Sequence, residues 1–338
     1  MRHNALLLRV IAGLALVALL PPLHACEMLP ALPSPPPGAL RVTDFGALPD
    51  DDLNDDAAIA RALRALKPGG WLVFPPGRYR QAHSVLVTTP GVTLWGPGAT
   101  LQATDPRDHT LGLRADGVRL YGLTLTARPD QRRSEPAQAR ISLYRDRSDN
   151  PAGTTPQRGN VVRGVTVDGA GSVGILVHGM ADFTIAGNTV RRTLADGIHV
   201  TGASHHGRVL GNQVRDTGDD LISIVSYDDA PPVRDVLVQG NDVAGARWGR
   251  GLTVVGGEHL TLRGNTVTGV AHGAGILLAE QLGLPEGVQI GALVRGEEVL
   301  IAHHDTVIET DDHVIVFLPS KRQVRAVEKL FQVGATFF

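Results

Sequence analysis

A repeat constrains this chain more than any other feature. Four segments read Ile185-Ala-Gly-Asn-Thr-Val190, Val209-Leu-Gly-Asn-Gln-Val214, Val238-Gln-Gly-Asn-Asp-Val243 and Leu262-Arg-Gly-Asn-Thr-Val267, so Asn188, Asn212, Asn241 and Asn265 recur at steps of 24, 29 and 24 residues. A second short strand begins at Gly174-Ile-Leu-Val, Gly197-Ile-His-Val, Leu221-Ile-Ser-Ile, Gly251-Leu-Thr-Val and Gly275-Ile-Leu-Leu, at steps of 23, 24, 30 and 24. Each repeat thus holds at least two strands and no helix. Alternating apolar positions rich in Val, Ile, Leu and Thr, punctuated by Gly-Asn, suit a coil whose alternate side chains point inward. Stacked coils pair each strand with its counterpart one turn on and line the asparagines into a ladder. The pattern predicts a mainly β chain, a right-handed parallel β-helix. An antiparallel sandwich is the competing architecture, but its strands do not normally recur at a constant step with the same turn residues.

Stacking also decides which side chains meet. Aligned on the second strand, Val173, Asp196, Asp220, Arg250 and Ala274 form one column, with Ser172, Ala195, Asp219, Gly249 and Gly273 beside it. Coils lie roughly 4.8 Å apart, so Asp196, Asp219, Asp220 and Arg250 should share one patch. Three carboxylates so close repel one another, which should keep at least one protonated near neutral pH beside an ionised neighbour. Asp is also common in turns, and a purely structural role is the plain alternative.

The chain has 338 residues, with 34 acidic and 32 basic side chains, a balance that names no partner and gives no reason to expect nucleic acid. Lys67, Lys321 and Lys329 are its only lysines, so a site on the β-helix must work without a lysine base. Residues 1–26 carry Arg2 and Arg9, the apolar run Val10 to Leu20, and then Pro21-Pro-Leu-His-Ala-Cys26, the plan of an export signal. That run is too short to span a bilayer. Cys26 is the only cysteine, which excludes a disulfide within the chain. Leu23-His24-Ala25-Cys26 resembles a lipobox, although His24 replaces the usual small residue; the resemblance implies acylation of Cys26 and a membrane anchor. Glu27 after the cysteine leans towards the outer membrane, with ordinary secretion to the periplasm or outside as the alternative. Residues 27–39, with five prolines, read as an extended tether. Folded structure is expected from residue 40. Arg41 to Ala47 reads as a short strand, and Asn54 to Leu66 as an amphipathic helix capped by Asn54, complemented at its dipole by Asp55 and Asp56, and placed to cover the first coil.

Asp44-Phe45-Gly46-Ala47, Asp55-Asp56 and Gly70-Trp-Leu-Val-Phe-Pro-Pro-Gly-Arg-Tyr79 resemble the opening of the pectate-lyase-like, rhamnogalacturonase and epimerase-like β-helix proteins, and the likeness in fold extends over residues 40–280. Within that superfamily, Asp196 with Asp219-Asp220 resembles the active site of the polygalacturonase glycoside hydrolases. Leu194-Ala195-Asp196 keeps only the aspartate of the family's Asn-Thr-Asp. Gly218-Asp219-Asp220 keeps the pair, and Gly249-Arg250-Gly251 replaces Gly-His-Gly. The family's later Arg-Ile-Lys motif is missing. The resemblance implies hydrolysis of an acidic, uronate-containing polysaccharide, with Asp219 as general acid and Asp196 and Asp220 activating water for inversion, without a cofactor. Arg250 would bind a carboxylate or tune the acid. It also opens a lyase or epimerase reading, in which a cation or arginine neutralises the uronate and the aspartates bind calcium. A non-catalytic carbohydrate-binding or structural β-helix is the third reading.

Near the cluster, His199 is a candidate substrate contact, and Tyr227 and Trp248 are candidates to stack on sugar rings or simply to pack locally. The segment 128–158 interrupts the repeat with Arg128, Arg132, Arg133, Arg140, Arg145, Arg147 and Arg158, reading first as a solvated loop and otherwise as a strip steering an acidic polymer. His205-His206 shows no third ligand, so no metal site is expected.

From residue 284 the composition changes. Val294-Arg-Gly-Glu-Glu-Val-Leu-Ile, Thr310-Asp-Asp-His-Val-Ile-Val-Phe-Leu and Val327-Glu-Lys-Leu-Phe-Gln-Val-Gly resemble the C-terminal subdomain of the TrkA potassium-uptake regulators. That implies a small α/β unit over residues 284–338, with strands before residue 319 and a helix from Arg322 to Phe331. His303-His304-Asp305 reads as a turn. The resemblance implies a role in potassium transport, whereas the export signal places the tail away from any cytoplasmic channel partner. A fused tail capping the last coil, a rearrangement with a nonfunctional tail, and a join made in assembling the sequence are the three accounts.

Overall fold

The computed structural model describes residues 29–135, 138–144, 156–227, 230–279, 287–296, 298–301 and 313–330. The export signal with Cys26, Arg145 and Arg147, and His303-His304-Asp305 lie outside the described residues.

Three long parallel sheets wind into a β-helix, and each coil contributes three strands. In one representative coil these are Thr184–Ala186, Thr189–Thr193 and Ile198–Thr201. Each Gly-Asn is therefore the bend between the first two sheets rather than the middle of one strand. The coils stack in register, Ile175 on Ile198, Ile198 on Ile222, Ile222 on Leu252 and Leu252 on Ile276. Period-two alternation sends Ile198 and Val200 inward, where both are fully buried. Burying a side chain of that size contributes roughly 1.5–3 kcal/mol.

The asparagine ladder closes the bend. Asn188 and Asn212 each donate Nδ2 to the next asparagine's Oδ1, at 3.0 and 2.9 Å, and Asn241 does the same to Asn265 at 2.9 Å. Each also donates to a carbonyl of the preceding coil, Val162, Ile185 or Val209. Gly187, Gly211, Gly240 and Gly264 precede them at φ between 57° and 65°, the left-handed turn that glycine adopts without strain.

At the N-terminal end only Leu40–Arg41 pairs as a strand; a 3-10 turn, Val42–Phe45, takes the place of the rest of the expected one. The helix Asp56–Ala65 buries Ala58, Ile59 and Ala62. Asp55 and Asp56 do more than complement its dipole. Asp55, buried, accepts from the Arg80 amide at 2.7 Å, and Asp56 from the His83 amide at 3.0 Å, so both carboxylates pin the helix to the strand Gly77–Gln81 and the residues just after it. Asn54 accepts from the Asp56 amide at 3.0 Å. The proline-rich segment from residue 29 to 39 lies along the first bend: Trp95 Nε1 donates to the Pro33 carbonyl at 2.9 Å, and Leu32 and Leu29 sit over Gly164 and Gly187.

The tail forms its own antiparallel sheet, Gln289–Arg295 between Glu298–Ile301 and His313–Phe317, followed by the helix Val324–Leu330. Among the described residues it shares no strand with the β-helix. Ile276 and Leu278 of the last coil are 55% and 70% exposed, so the tail leaves these two core-column side chains uncovered. No helix among the described residues is long and apolar enough to cross a membrane.

Candidate active site

The site is built at the corner between the second and third sheets, on successive coils. The Gly174, Gly197 and Leu221 amides donate to the Asp196, Asp220 and Arg250 carbonyls at 3.0, 2.9 and 2.9 Å, which is the predicted column. Two features let these corners stack so closely. Buried Thr193 and Thr217 hold equivalent places and donate their hydroxyls to the Ala195 and Asp219 carbonyls at 2.7 and 2.6 Å. Glycine supplies the rest, since a Cβ on Gly218 would lie 2.2 Å from the Leu194 carbonyl oxygen, and one on Gly249 would lie 2.3 Å from the Asp219 backbone.

Oxygens of Asp196, Asp219 and Asp220 lie within 4.8 Å of one another. Asp196 Oδ2 meets His199 Nδ1 at 2.6 Å and accepts from Ser223 Oγ at 2.6 Å, while Ser223 and His199 are 2.7 Å apart. Asp220 accepts from the Arg250 amide at 2.6 Å, and the Arg250 guanidinium stands 3.9 Å away. Asp219 accepts from Arg132 Nη2 at 2.5 Å.

These surroundings separate the carboxylates. Burial first, and the neighbouring Asp196 charge second, push Asp220 up to about 6 against the Arg250 amide. Burial also pushes Asp196 upward, but the His199 ring, the Ser223 hydroxyl and the more distant Arg132 together outweigh it and hold Asp196 below the usual carboxylate range. Asp220, raised to about 6, holds its proton beside an Asp196 held low as the carboxylate, an acid beside a base.

The same contacts test calcium. That ion takes six to eight oxygens, whereas each carboxylate here already commits one oxygen to a protein donor, and two guanidinium groups face the cluster.

His199 is largely enclosed, with Tyr227 stacked over it at 6.5 Å between centroids. Exposed Trp248 stacks on His272 at 5.1 Å, one corner further along. Sequence reasoning missed Ser223 and singled out Arg132 only as one of seven arginines. The 128–158 excursion is no uniformly solvated loop: Arg140 is fully buried on the Leu101 and His109 carbonyls, which lowers it to about 9 by desolvation. Arg133 is also enclosed, bonded to the Pro106 carbonyl and Asp130. His205-His206 does gain neighbours, Asp235 at 3.6 Å from His206 and His259 at 3.3 Å from Asp235, but Arg234 occupies the same carboxylate at 2.8 Å.

Residues 39–118 match the family described as rhamnogalacturonase A/epimerase, pectate lyase-like, residues 141–283 the right handed beta helix region, and residues 273–332 the TrkA-C domain. The chain therefore joins a right-handed β-helix to a TrkA-C tail, and the last two matches overlap across the final coil. Among solved structures it is similar to the catalytic unit of a thermostable GH87 alpha-1,3-glucanase from Streptomyces thermodiastaticus strain HF3-3, with a TM-score of 0.57 and 24% identity over 72% of this chain and 43% of that one. A GH87 alpha-1,3-glucanase catalytic domain in complex with nigerose gives 0.51 and 16%, over 70% and 46%. At these identities the likeness is one of fold. The tail is 66% identical over 55 residues to the Trk system potassium uptake protein TrkA of Halomonas elongata and 63% over 54 residues to that of Vibrio alginolyticus. Each match spans 16% of this chain and 12% of the curated relative.

Proposed function

We propose that the β-helix is a carbohydrate-active enzyme hydrolysing glycosidic bonds in an acidic, uronate-containing polysaccharide. The observation that carries this reading is the convergence of Asp196, Asp219 and Asp220 at one corner, with a proton kept on Asp220 beside an ionised Asp196. The family likeness and the fold shared with α-glucanases support a glycan substrate. Asp219, the most exposed of the three, protonates the leaving oxygen. Asp196, the carboxylate of the cluster, takes the proton of the attacking water, joined by Asp220 once its own proton has passed to Asp219. Incubation with de-esterified polygalacturonate should release reducing ends without unsaturated product, and Asp219→Asn should lower turnover by about 10²–10⁴-fold. Retained turnover in that variant would remove the site assignment.

Arg250 favours one second reading, elimination next to a uronate carboxylate that it neutralises; unsaturated product would establish it. Export and acylation of Cys26 belong to the same proposal. They are tested by labelling cells with a fatty-acid analogue and comparing wild type with Cys26→Ser in membrane fractions. A potassium-linked role rests on the tail alone, and detection of the chain in the exported membrane fraction would set it aside.

A further inference from the structure

In the described structure the carboxylate expected to act as acid is bound to a cation. Arg132 reaches Asp219 from 87 positions earlier, across three coils of the excursion side, at 2.5 Å. Its base is fixed: the Arg133 amide donates to the Gly171 carbonyl at 2.7 Å, and the Arg133 side chain is anchored on Pro106 and Asp130. Its tip is the more accessible partner, the Arg132 side chain being 55% exposed and that of Asp219 25% exposed. While Arg132 sits on Asp219 Oδ2, that oxygen is engaged by a cation rather than by a leaving group. With Asp196 and Asp220 oxygens within 4.8 Å of Asp219, a proton has a short path within the cluster.

We propose that Arg132 is the residue by which this site selects an anionic sugar: it lies on Asp219 while the groove is empty and passes to the uronate carboxylate when substrate binds. Released, Asp219 takes the proton held by Asp220 and delivers it to the glycosidic oxygen as the C–O bond breaks. Asp220, now a carboxylate, joins Asp196 in accepting the proton of the water that bonds to the anomeric carbon. A neutral sugar leaves Arg132 in place and Asp219 unavailable. This rests on the hydrolytic reading for its proton steps but not for its binding step.

The test uses the full chain, oligogalacturonates and their methyl esters, with binding by calorimetry measured apart from reducing-end release. Loss of a charge-assisted hydrogen bond predicts that Arg132→Gln weakens binding and raises KM for the ionised oligomer about 10- to 100-fold, with partial recovery in Arg132→Lys. Methyl esterification should weaken wild type by a similar factor and leave Arg132→Gln little more to lose, the non-additivity expected of a direct contact. Equal losses on ionised and esterified oligomers, or a change in kcat alone with a shifted pH profile, would overturn the proposal and make Arg132 a positioning residue for Asp219. Binding that depends on Arg132 without turnover would keep this inference and sink hydrolysis. Turnover with a KM insensitive to Arg132 would do the reverse.

Discussion

At the scale of residues, Asp220 ties chemistry to stability. Its folded-state value of about 6 lies above the ordinary 3.8, so between these the folded chain holds the extra proton and stability falls as pH rises. Asp220→Asn removes that loss. The variant should be more stable than wild type at pH 7, by up to about 3 kcal/mol, since each tenfold change in proton affinity is worth about 1.4 kcal/mol. The advantage should vanish near pH 4. Urea denaturation at both pH values checks this; equal advantages at both would show that Asp220 does not titrate in that window. The column that raises Asp220 was legible in the sequence, because a constant step fixes which corner residues stack. Arg132 and Ser223 were not, since their places depend on how a long excursion folds back and on which face of the next strand a hydroxyl points.

Among the elements, the asparagine bend is the clearest case of sequence specifying structure. Asn212 and Asn241 fill three roles at once: Nδ2 serves two acceptors, Oδ1 receives two donors, and the glycine before each turns the chain. Asn212→Ala leaves buried partners on both adjacent coils without their bonds, and should cost about 2–4 kcal/mol, one to two unsatisfied buried groups, read by denaturation. Asn265→Ala, at the exposed end of the ladder, should cost less than half as much; equal costs would mean that burial is not the source. The third strand of each coil escaped the repeat as read from sequence, since the Gly-Asn motif marks the bend and the apolar positions on either side look continuous. The N-terminal strand was overestimated because the backbone enters a 3-10 turn at Val42, which Gly46, at φ 90°, closes.

For the whole molecule, the tail shares no strand with the β-helix among the described residues, and Ile276 and Leu278 remain open to solvent. A chain ending at residue 283 should therefore unfold at the same temperature as the full chain in a thermal scan; a drop of more than a few degrees would show that the tail stabilises the last coil. The open end carries its own risk, because an unpaired edge with apolar side chains invites association. Leu278→Ser should reduce concentration-dependent self-association in sedimentation experiments.

The stacking geometry has a further consequence for descent. Asp196 belongs to one coil, Asp219 and Asp220 to the next, Trp248 and Arg250 to the one after, and Arg132 arrives from three coils before Asp219. No single repeat holds the whole cluster. Gene duplication that copies one coil lengthens the scaffold in register yet inherits only a fragment of the site, while the loss of one coil erases it. Such a fold can grow and shrink freely everywhere except along one short seam, and the history of the family should be recorded there as a stretch in which coil number never changes.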